Sequence, residues 1–302
     1  MKVCDAIYGK KSIILVRFPS DLYLISNILI IAINSFLVIP TIVLNGVSVA
    51  AIMKSTRLRS KPCYYLVVMQ SLVDLTVGAL GIPILIFVAI CPIIGFLNCT
   101  VTFIFKQILF IPSGISIITL SAMTIERYIG VLHPYAYSTK VTKGRILIYE
   151  CCGSFLIILL VGISLPLKNV ITVFSIFLIV IFLILNTFVY TRIYIVVLKI
   201  ARSDKVQTSN LREENSTKRQ QFLGEIKQAK SCFLVLACFV VCFLPLPFGE
   251  FIKVDTVENF VHQSWSMTLI MLNSSVNSII FFWTKKELRM QALQLLSRTV
   301  AP

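Results

Sequence analysis

Between Asp21 and Lys54 run 32 residues without one charged side chain, and intervals of the same kind recur to the end of the chain. Lys168 and Arg192 bracket 23 uncharged residues, Lys230 and Glu250 bracket 19, and Glu258 and Lys285 bracket 26. Crossing the hydrocarbon layer of a membrane takes roughly 20 apolar residues in a helix. No water is present there to satisfy the backbone, so a single crossing stretch must be helical. The interval from Lys61 to Lys106 has room for one span holding Asp74 and for the start of the next, which Thr102–Val131 supplies. Ile146–Leu165 adds another, with Glu150 near its start. The count is seven. Six would make the 64 residues from Pro62 to Ile125 a single crossing. Eight would need a helix among residues 1–22, where Lys10, Lys11 and Arg17 leave only Ser12–Val16 uncharged between them. That segment also lacks the continuous apolar core of a signal peptide.

The fold expected is an all-α membrane protein. Residues 22–284 form a seven-transmembrane helix bundle, preceded by segment 1–21 and followed by segment 285–302. Only 14% of the residues are charged, against about 25% in soluble domains. With the N-terminus outside, the inner loops and tail hold 21 Lys and Arg and the outer side 7, the asymmetry of the positive-inside rule. The net charge of +15 then reflects loops facing anionic membrane lipid, and no nucleic acid partner is needed to explain it.

Six of the nine cysteines lie in or beside spans, where Cys serves as a small hydrophobe. Only Cys4, Cys91 and Cys99 can reach the oxidising side, so at most one bridge forms among them. The segment "ARSDKVQTSNLREENSTKRQQFLGEIKQAK" (Ala201–Lys230) reads as a cytosolic loop whose ends extend the fifth and sixth helices. After Thr284, "KKELRMQALQLL" places Leu288, Leu293 and Leu296 near one face of a short amphipathic helix on the inner membrane surface.

Ionisable residues within spans are rare and face the bundle interior. Asp74 is the one acid deep in a span, and an uncompensated carboxylate there costs at least about 2.5 kcal/mol. Asn45, Ser116, Asn273, Ser274 and Asn277 can share its depth, and Asn273 and Asn277, four apart, share a helix face. Two readings follow. Carboxylate, hydroxyl and amide oxygens suit a small hard cation such as Na⁺; the same groups also make an interhelical hydrogen-bond cluster without an ion. Glu126 and Arg127 end the third span. Arg127 either snorkels to phosphate or pairs with an acid on another helix, for which Glu225 is placed, five residues before Lys230. A half-buried pair between helices can set a two-state equilibrium when broken and remade. Pro245 and Pro247 in "CFLPLP" kink the sixth span, either as a hinge above that pair or as the ordinary prolines of membrane helices.

Taken in order and spacing, these residues resemble the rhodopsin-like (class A) G-protein-coupled receptors over roughly residues 22–297. The family pattern is met by Asn45 in "VLNGV", by Asp74 in "SLVDL" with Pro83 nine residues on, and by Glu126-Arg127-Tyr128 with Pro134 opening the next loop. It continues in Tyr190, Glu225, Phe239, the "CFLP" ending at Pro245, and the "NSIIF" from Asn277 to Phe281. The resemblance implies an allosteric sodium site at Asp74, Ser116, Asn273 and Asn277. It also implies a switch set of Glu126, Arg127, Tyr128, Tyr190, Glu225, Phe239, Pro245 and Phe281, in which Arg127 and Glu225 form the inactive-state lock. The departures from the family are specific. Phe243 replaces the sixth-span tryptophan, Ser278 the seventh-span proline and Phe281 its tyrosine, while Phe182 occupies the fifth-span proline position and the fourth span has no tryptophan. The short second outer loop has no cysteine, which removes the family's usual disulfide, and Cys99 stands about three residues early. The short loop and the missing proline resemble the melanocortin, adenosine, cannabinoid and lysophospholipid subgroup.

What the resemblance implies for function is a receptor in the plasma membrane, N-terminus outside, taking an extracellular ligand and passing its signal to heterotrimeric G proteins, with arrestin a further partner. Leu109 stands where amine receptors carry an aspartate, and Met271 where opsins carry the retinal lysine, so neither an amine nor retinal is expected. Lys106, Gln107, Leu109, Phe243, Phe248, Glu250, His262 and Met267 are the ligand-binding candidates; Lys106, Glu250 and His262 could orient a polar ligand, yet such residues are more often solvated helix ends. Asn98-Cys99-Thr100 is a glycosylation sequon near the membrane. No nucleophile–base pair or open metal site suggests an enzyme, and an organic cofactor is not expected. A transporter would show repeated halves, and none is apparent here. A decoy receptor that binds without coupling stays open because of Phe243 and Phe281.

Overall fold

The structure is a computed structural model that describes residues 2–5, 11–14, 20–96, 98–164, 177, 180–196, 233–246 and 256–300. Glu225, Phe248, Glu250, Pro247, the 201–230 loop, the loop joining spans four and five and the side chains of Cys4, Cys99 and Lys106 lie outside the described residues.

Helices make up the bundle: α1 (Asp21–Lys54), α2 (Thr56–Ser60), α3 (Pro62–Thr76), α4 (Ile82–Ile94), α5 (Cys99–Ile108), α6 (Phe110–Leu132), α7 (Pro134–Lys140) and α8 (Lys143–Ser164). They continue as α9 (Val180–Val196), α10 (Phe233–Phe243), α11 (Thr256–Thr284) and α12 (Lys286–Val300). Among the described residues five stretches are long and apolar enough to cross a membrane: Asp21–Lys54, Pro62–Ile94, Phe110–Leu132, Lys143–Ile163 and Val261–Thr284. These are spans one to four and span seven; the shorter apolar helices α9 and α10 stand in the places of spans five and six. Among the described residues strands occur only in the N-terminal segment, where β1 (Lys2–Asp5) and β2 (Lys11–Ile14) pair antiparallel with Lys2 opposite Ile14 and rest against α5. That hairpin is a feature the sequence reading did not foresee in segment 1–21.

Three interruptions have local causes. Pro62 opens α3 and Pro134 opens α7, positions where a missing N–H is no loss. Span two passes through a π-helical turn, Val77–Gly81, just before Pro83, a place where the chain absorbs an extra residue per turn. Span three breaks at Leu109. Pro112 explains it: its ring excludes the carbonyl of Ile108 and offers no N–H to it, so α5 and α6 meet at that point.

Small residues set the closest approaches. A Cβ on Gly78 would lie 2.9 Å from Ile42 and 3.0 Å from Thr41, so spans one and two touch there. Between spans three and four the fit is reciprocal: a Cβ on Gly114 would meet Ile157 Cγ2 at 2.6 Å, and one on Gly153 would meet Ile118 Cγ2 at 2.5 Å. The span faces turned away from the bundle carry exposed Phe36, Ile39, Phe155 and Phe188, as a helix facing lipid should.

After span seven, α12 buries Leu288 and Ala292, whereas Leu293 and Leu296 are exposed. The expected common face of Leu288, Leu293 and Leu296 is therefore corrected: Ala292, four residues on, lies over Leu288, Leu293, five on, turns away from it, and Leu296 is 46% exposed. Glu287 ties this helix to the rest, its carboxylate 2.9 Å from Lys61 Nζ, 3.1 Å from Arg57 Nη2 and 3.4 Å from Tyr64 Oη. The hydrogen bond from Lys61 holds the Glu287 carboxyl below its ordinary value, with the charges of Lys61 and Arg57 adding to it.

Two outcomes are expected. Gly153→Ala drives a methyl into a β-branched side chain that cannot swing away, which should destabilise the protein by about 1–3 kcal/mol; adding Ile118→Ala should restore part of the loss in thermal unfolding of the purified protein. For Glu287, the folded-state value is depressed, so its stabilisation is complete above the ordinary glutamate value and fades as pH falls through the folded one. The melting difference between wild type and Glu287→Gln should accordingly be present at pH 7 and shrink in acid. A difference that grows on acidification would contradict the assignment.

Candidate functional site

Polar side chains buried in the spans gather into two sites, one at mid-bundle and one at the end of span three. The first is anchored on span one, where Asn27, Asn34, Thr41 and Ser48 recur every seven residues, all but fully buried. Asn34 Nδ2 donates to Thr268 Oγ1 at 2.9 Å, and Thr41 Oγ1 and Ser275 Oγ share a hydrogen at 2.5 Å. Asn27 Nδ2 donates to the carbonyl of Ala89 in span two at 2.6 Å. Asn45 spends its whole side chain on the seam. Its Nδ2 donates to the carbonyls of Thr41 at 2.9 Å and Ser274 at 3.2 Å, while its Oδ1 accepts from Ser278 Oγ at 2.5 Å. The serine that replaces a proline thus becomes a tie between spans one and seven.

Asp74, fully buried, lies beside this seam. Asn277 Nδ2 donates to its Oδ2 at 3.3 Å, Ser274 also hydrogen-bonds it, and Gln70 Nε2 reaches both carboxylate oxygens at 3.3 and 3.2 Å. The same Gln70 nitrogen lies 3.3 Å from Ser116 Oγ. The structure therefore brings Asp74, Ser116 and Asn277 into one connected group, as expected, and adds Gln70 and Ser274. Asn273 joins through a cavity of about 10 Å³, the room of one water-sized sphere, which it lines with Ser113, Ser116, Ser274, Met271 and Phe243. Four buried oxygens here accept no hydrogen bond: Asn273 Oδ1, Asn277 Oδ1, Gln70 Oε1 and Ser71 Oγ. Unsatisfied oxygens around a carboxylate are the donor set that a small hard cation takes, so the residues present fit a sodium ion.

The second site is the Glu126–Arg127 pair. Arg127 is 2% exposed and Glu126 4%. A snorkelling arginine would have its head in solvent; this one is enclosed. Its Nε and Nη2 both donate to the Glu126 carboxylate, and Tyr137 Oη, from α7, donates to the same carboxylate. Burial, and then the neighbouring Glu126 charge, push the Tyr137 hydroxyl above its ordinary value, so it stays a donor. Tyr128 stands apart from the pair, its ring 5.8 Å from that of His133.

Above it, spans three, five and six are joined by different means. Thr124 Oγ1 donates to Asn186 Oδ1 of span five at 2.6 Å. Phe239 stacks on Phe243 at 3.9 Å and meets Phe182 edge-on at 5.3 Å, while Tyr190 meets Phe233 edge-on at 5.5 Å. The helix of span six gives way to a turn at Leu244, directly before Pro245. Phe281 is fully buried in the core.

Residues 44–170 match a protein family described as 7 transmembrane receptor (rhodopsin family). The match takes in Asn45, Asp74, Ser116 and the Glu126-Arg127-Tyr128 triplet. Over that stretch the chain is similar to the rhodopsin-like receptors.

The ligand candidates named from the sequence are scattered by comparison with the core of the bundle. Leu109 and Met271 close on Gly81 from spans three and seven, the nearest atoms being 3.9 and 3.5 Å from where its Cβ would be. Leu109 and Met267 are buried in the core, Gln107 and His262 are half-buried, and of the candidates only Phe243 lines the cavity among the described residues. The sequence reading passed over Gln70, Ser71, Thr124 and Asn186, and it noted Glu150 without a partner. Glu150 is 2% exposed and accepts from Thr119 Oγ1 at 3.1 Å across spans three and four. The seven-residue recurrence on span one was the available signal for the seam, and Gln70, four residues before Asp74, was the signal for its partner.

The Ser278–Asn45 bond gives a direct test. A double-mutant cycle of Ser278→Ala and Asn45→Ala, read by thermal unfolding, should show coupling of about 0.6–1.7 kcal/mol, the range for hydrogen bonds between membrane helices. Strictly additive losses would mean that the tie is not made.

Proposed function

We propose that this receptor carries an extracellular ligand signal across the plasma membrane, N-terminus outside, to a heterotrimeric G protein by an outward shift of span six. One observation carries the reading: at the end of span three Arg127 is enclosed and held by Glu126, which is itself held by Tyr137. Removing one member of a buried pair leaves the other unpaired at about 3–5 kcal/mol, enough to shift a two-state equilibrium decisively. Glu225, which lies outside the described residues, is the second acid proposed for Arg127. The aromatic contacts of Phe239, Phe243 and Phe182 leave span six without a hydrogen-bonded tie among the described residues at that level, and the turn before Pro245 supplies its hinge.

At mid-bundle, sodium is proposed as the occupant of the Asp74 group, held by Asp74, Ser116, Asn273 and Asn277. Its chemistry there is counter-charge for the carboxylate. The residues themselves hold spans two, three and seven together through that carboxylate. A non-coupling decoy is the second reading. It is favoured by Phe281, which is buried and has no hydroxyl to organise water, and by Phe243 in place of a tryptophan.

Ligand-free nucleotide exchange on a panel of G proteins, at equal surface expression, separates the two. Glu126→Gln and Glu225→Ala should each raise basal exchange severalfold, whereas Arg127→Ala should not. Wild-type levels for all three variants across every G-protein class would remove the latch and leave the decoy as the better account.

A further inference from the structure

Gln70 holds the place beside Asp74 that a counter-ion would take. It is fully buried, one helical turn before Asp74 on the same face of span two. Its Nε2 stands within 3.3 Å of both carboxylate oxygens and of Ser116 Oγ, while its Oε1 accepts nothing. The end of the amide that bears partial positive charge therefore faces the carboxylate, and the end that could coordinate a cation is idle. A cation drawn to the same oxygens meets the Gln70 N–H group head-on.

We infer that Gln70 is an affinity-determining residue of this site, an internal amide donor that competes with sodium for Asp74 and holds the site in its ion-free arrangement at low salt. The inference rests on the sodium reading of the Asp74 group given above. To admit the ion, the amide must withdraw its nitrogen, either by swinging aside or by turning over to present Oε1, since the two ends of a carboxamide are nearly the same shape. Either movement forfeits the donor bonds to the carboxylate, and a hydrogen bond to a charged group is worth about 1.5–3 kcal/mol. Losing one such bond corresponds to a tenfold or greater weakening of the ion. Asn277 and Ser274 donate to the same carboxylate from span seven, so without Gln70 the site keeps partial neutralisation and an open place for a cation. Ser71, three residues before Asp74, contributes a buried hydroxyl oxygen without a partner and stays available as a ligand in that case.

The experiment measures thermal unfolding of the full-length receptor in detergent, titrating sodium chloride against N-methylglucamine chloride at constant ionic strength. The wild type, Gln70→Leu and the closer-shaped Gln70→Met are compared, each with and without Asp74→Asn. A site that binds only the folded state raises the melting temperature with the logarithm of ion concentration above its dissociation constant. Half-maximal stabilisation in both Gln70 variants should occur at a sodium concentration at least tenfold lower than in wild type, and Asp74→Asn should abolish the effect. If wild type responds to sodium at the same or a lower concentration than both variants, Gln70 is a ligand or a bystander and the inference is overturned while the sodium site stands. If no protein responds to sodium, the site reading fails and the inference with it. Gln70→Met guards against Gln70→Leu misfolding, because it fills the same volume without a hydrogen-bonding group.

Discussion

Inside hydrocarbon a polar side chain has only the protein to bond to, and this bundle is arranged around that restriction. Span one brings Asn27, Asn34, Thr41, Asn45 and Ser48 to one buried face. Spans two and seven supply the partners: Ala89, Thr268, Ser275, Ser274 and Ser278. No single bond is strong, since hydrogen bonds between membrane helices average about 0.6 kcal/mol. Their effect comes from register. A shift of one residue turns a helix by about 100°, so every partnership along the seam is lost at once. A spacing of seven is also the repeat at which two helices stay in contact while crossing at a small left-handed angle, so the recurrence fixes how spans one and seven cross as well as where.

The other side of the bundle is held differently. Spans three and four meet through Gly114 and Gly153, each receiving an isoleucine of its neighbour, with the Thr119–Glu150 hydrogen bond as a polar link between them. Spans five and six meet through rings. Shape and dispersion hold these contacts, and neither demands one geometry as a hydrogen bond does. A helix packed by rings can slide a fraction of a turn and keep most of its contact, whereas one stapled through asparagines cannot. The division follows the chain: one group of spans is pinned by a polar seam, and the other is held mainly by shape and ring contacts, with Thr119–Glu150 and Thr124–Asn186 as its polar ties.

Residue type alone was enough to read the spans, because the cost of burying charge leaves a long uncharged run with no soluble alternative. It also sufficed for Asp74 and Asn45, whose presence in such runs demands partners. Sequence could not supply which helix faces which. Thr41 and Ser275 are 234 positions apart, and nothing in either neighbourhood names the other. Gln70 was missed for a related reason: one amide in a span reads as tolerable, and its weight appears only when both its hydrogens are found on a buried carboxylate and a hydroxyl. Leu293 misled because leucine suits the lipid-facing and bundle-facing sides of α12 equally, so composition could not choose between them. Pro112 broke span three by a rule legible in advance, within a run whose hydropathy shows no interruption.

The replaced residues of span seven act together. A proline at 278 would leave a backbone carbonyl without its donor and weaken the helix there; serine keeps the N–H and adds a hydroxyl, which Asn45 accepts. One turn earlier Ser274 offers its carbonyl to the same Asn45 and its side chain to Asp74, and Asn277 donates to Asp74 as well. Span seven is therefore gripped from two sides within a single turn, by span one through Asn45 and by span two through Asp74. Phe281, next along the helix and fully buried, has no polar atom with which to compensate for a movement. Any rearrangement of span seven must release either the asparagine or the aspartate, and the Asn277–Asp74 bond at 3.3 Å is a looser grip than the 2.5 Å bond from Ser278 to Asn45. The yielding point of the pinned half is thus the carboxylate that Gln70 also contacts, where a change in amide donors alters how firmly spans two, three and seven are joined.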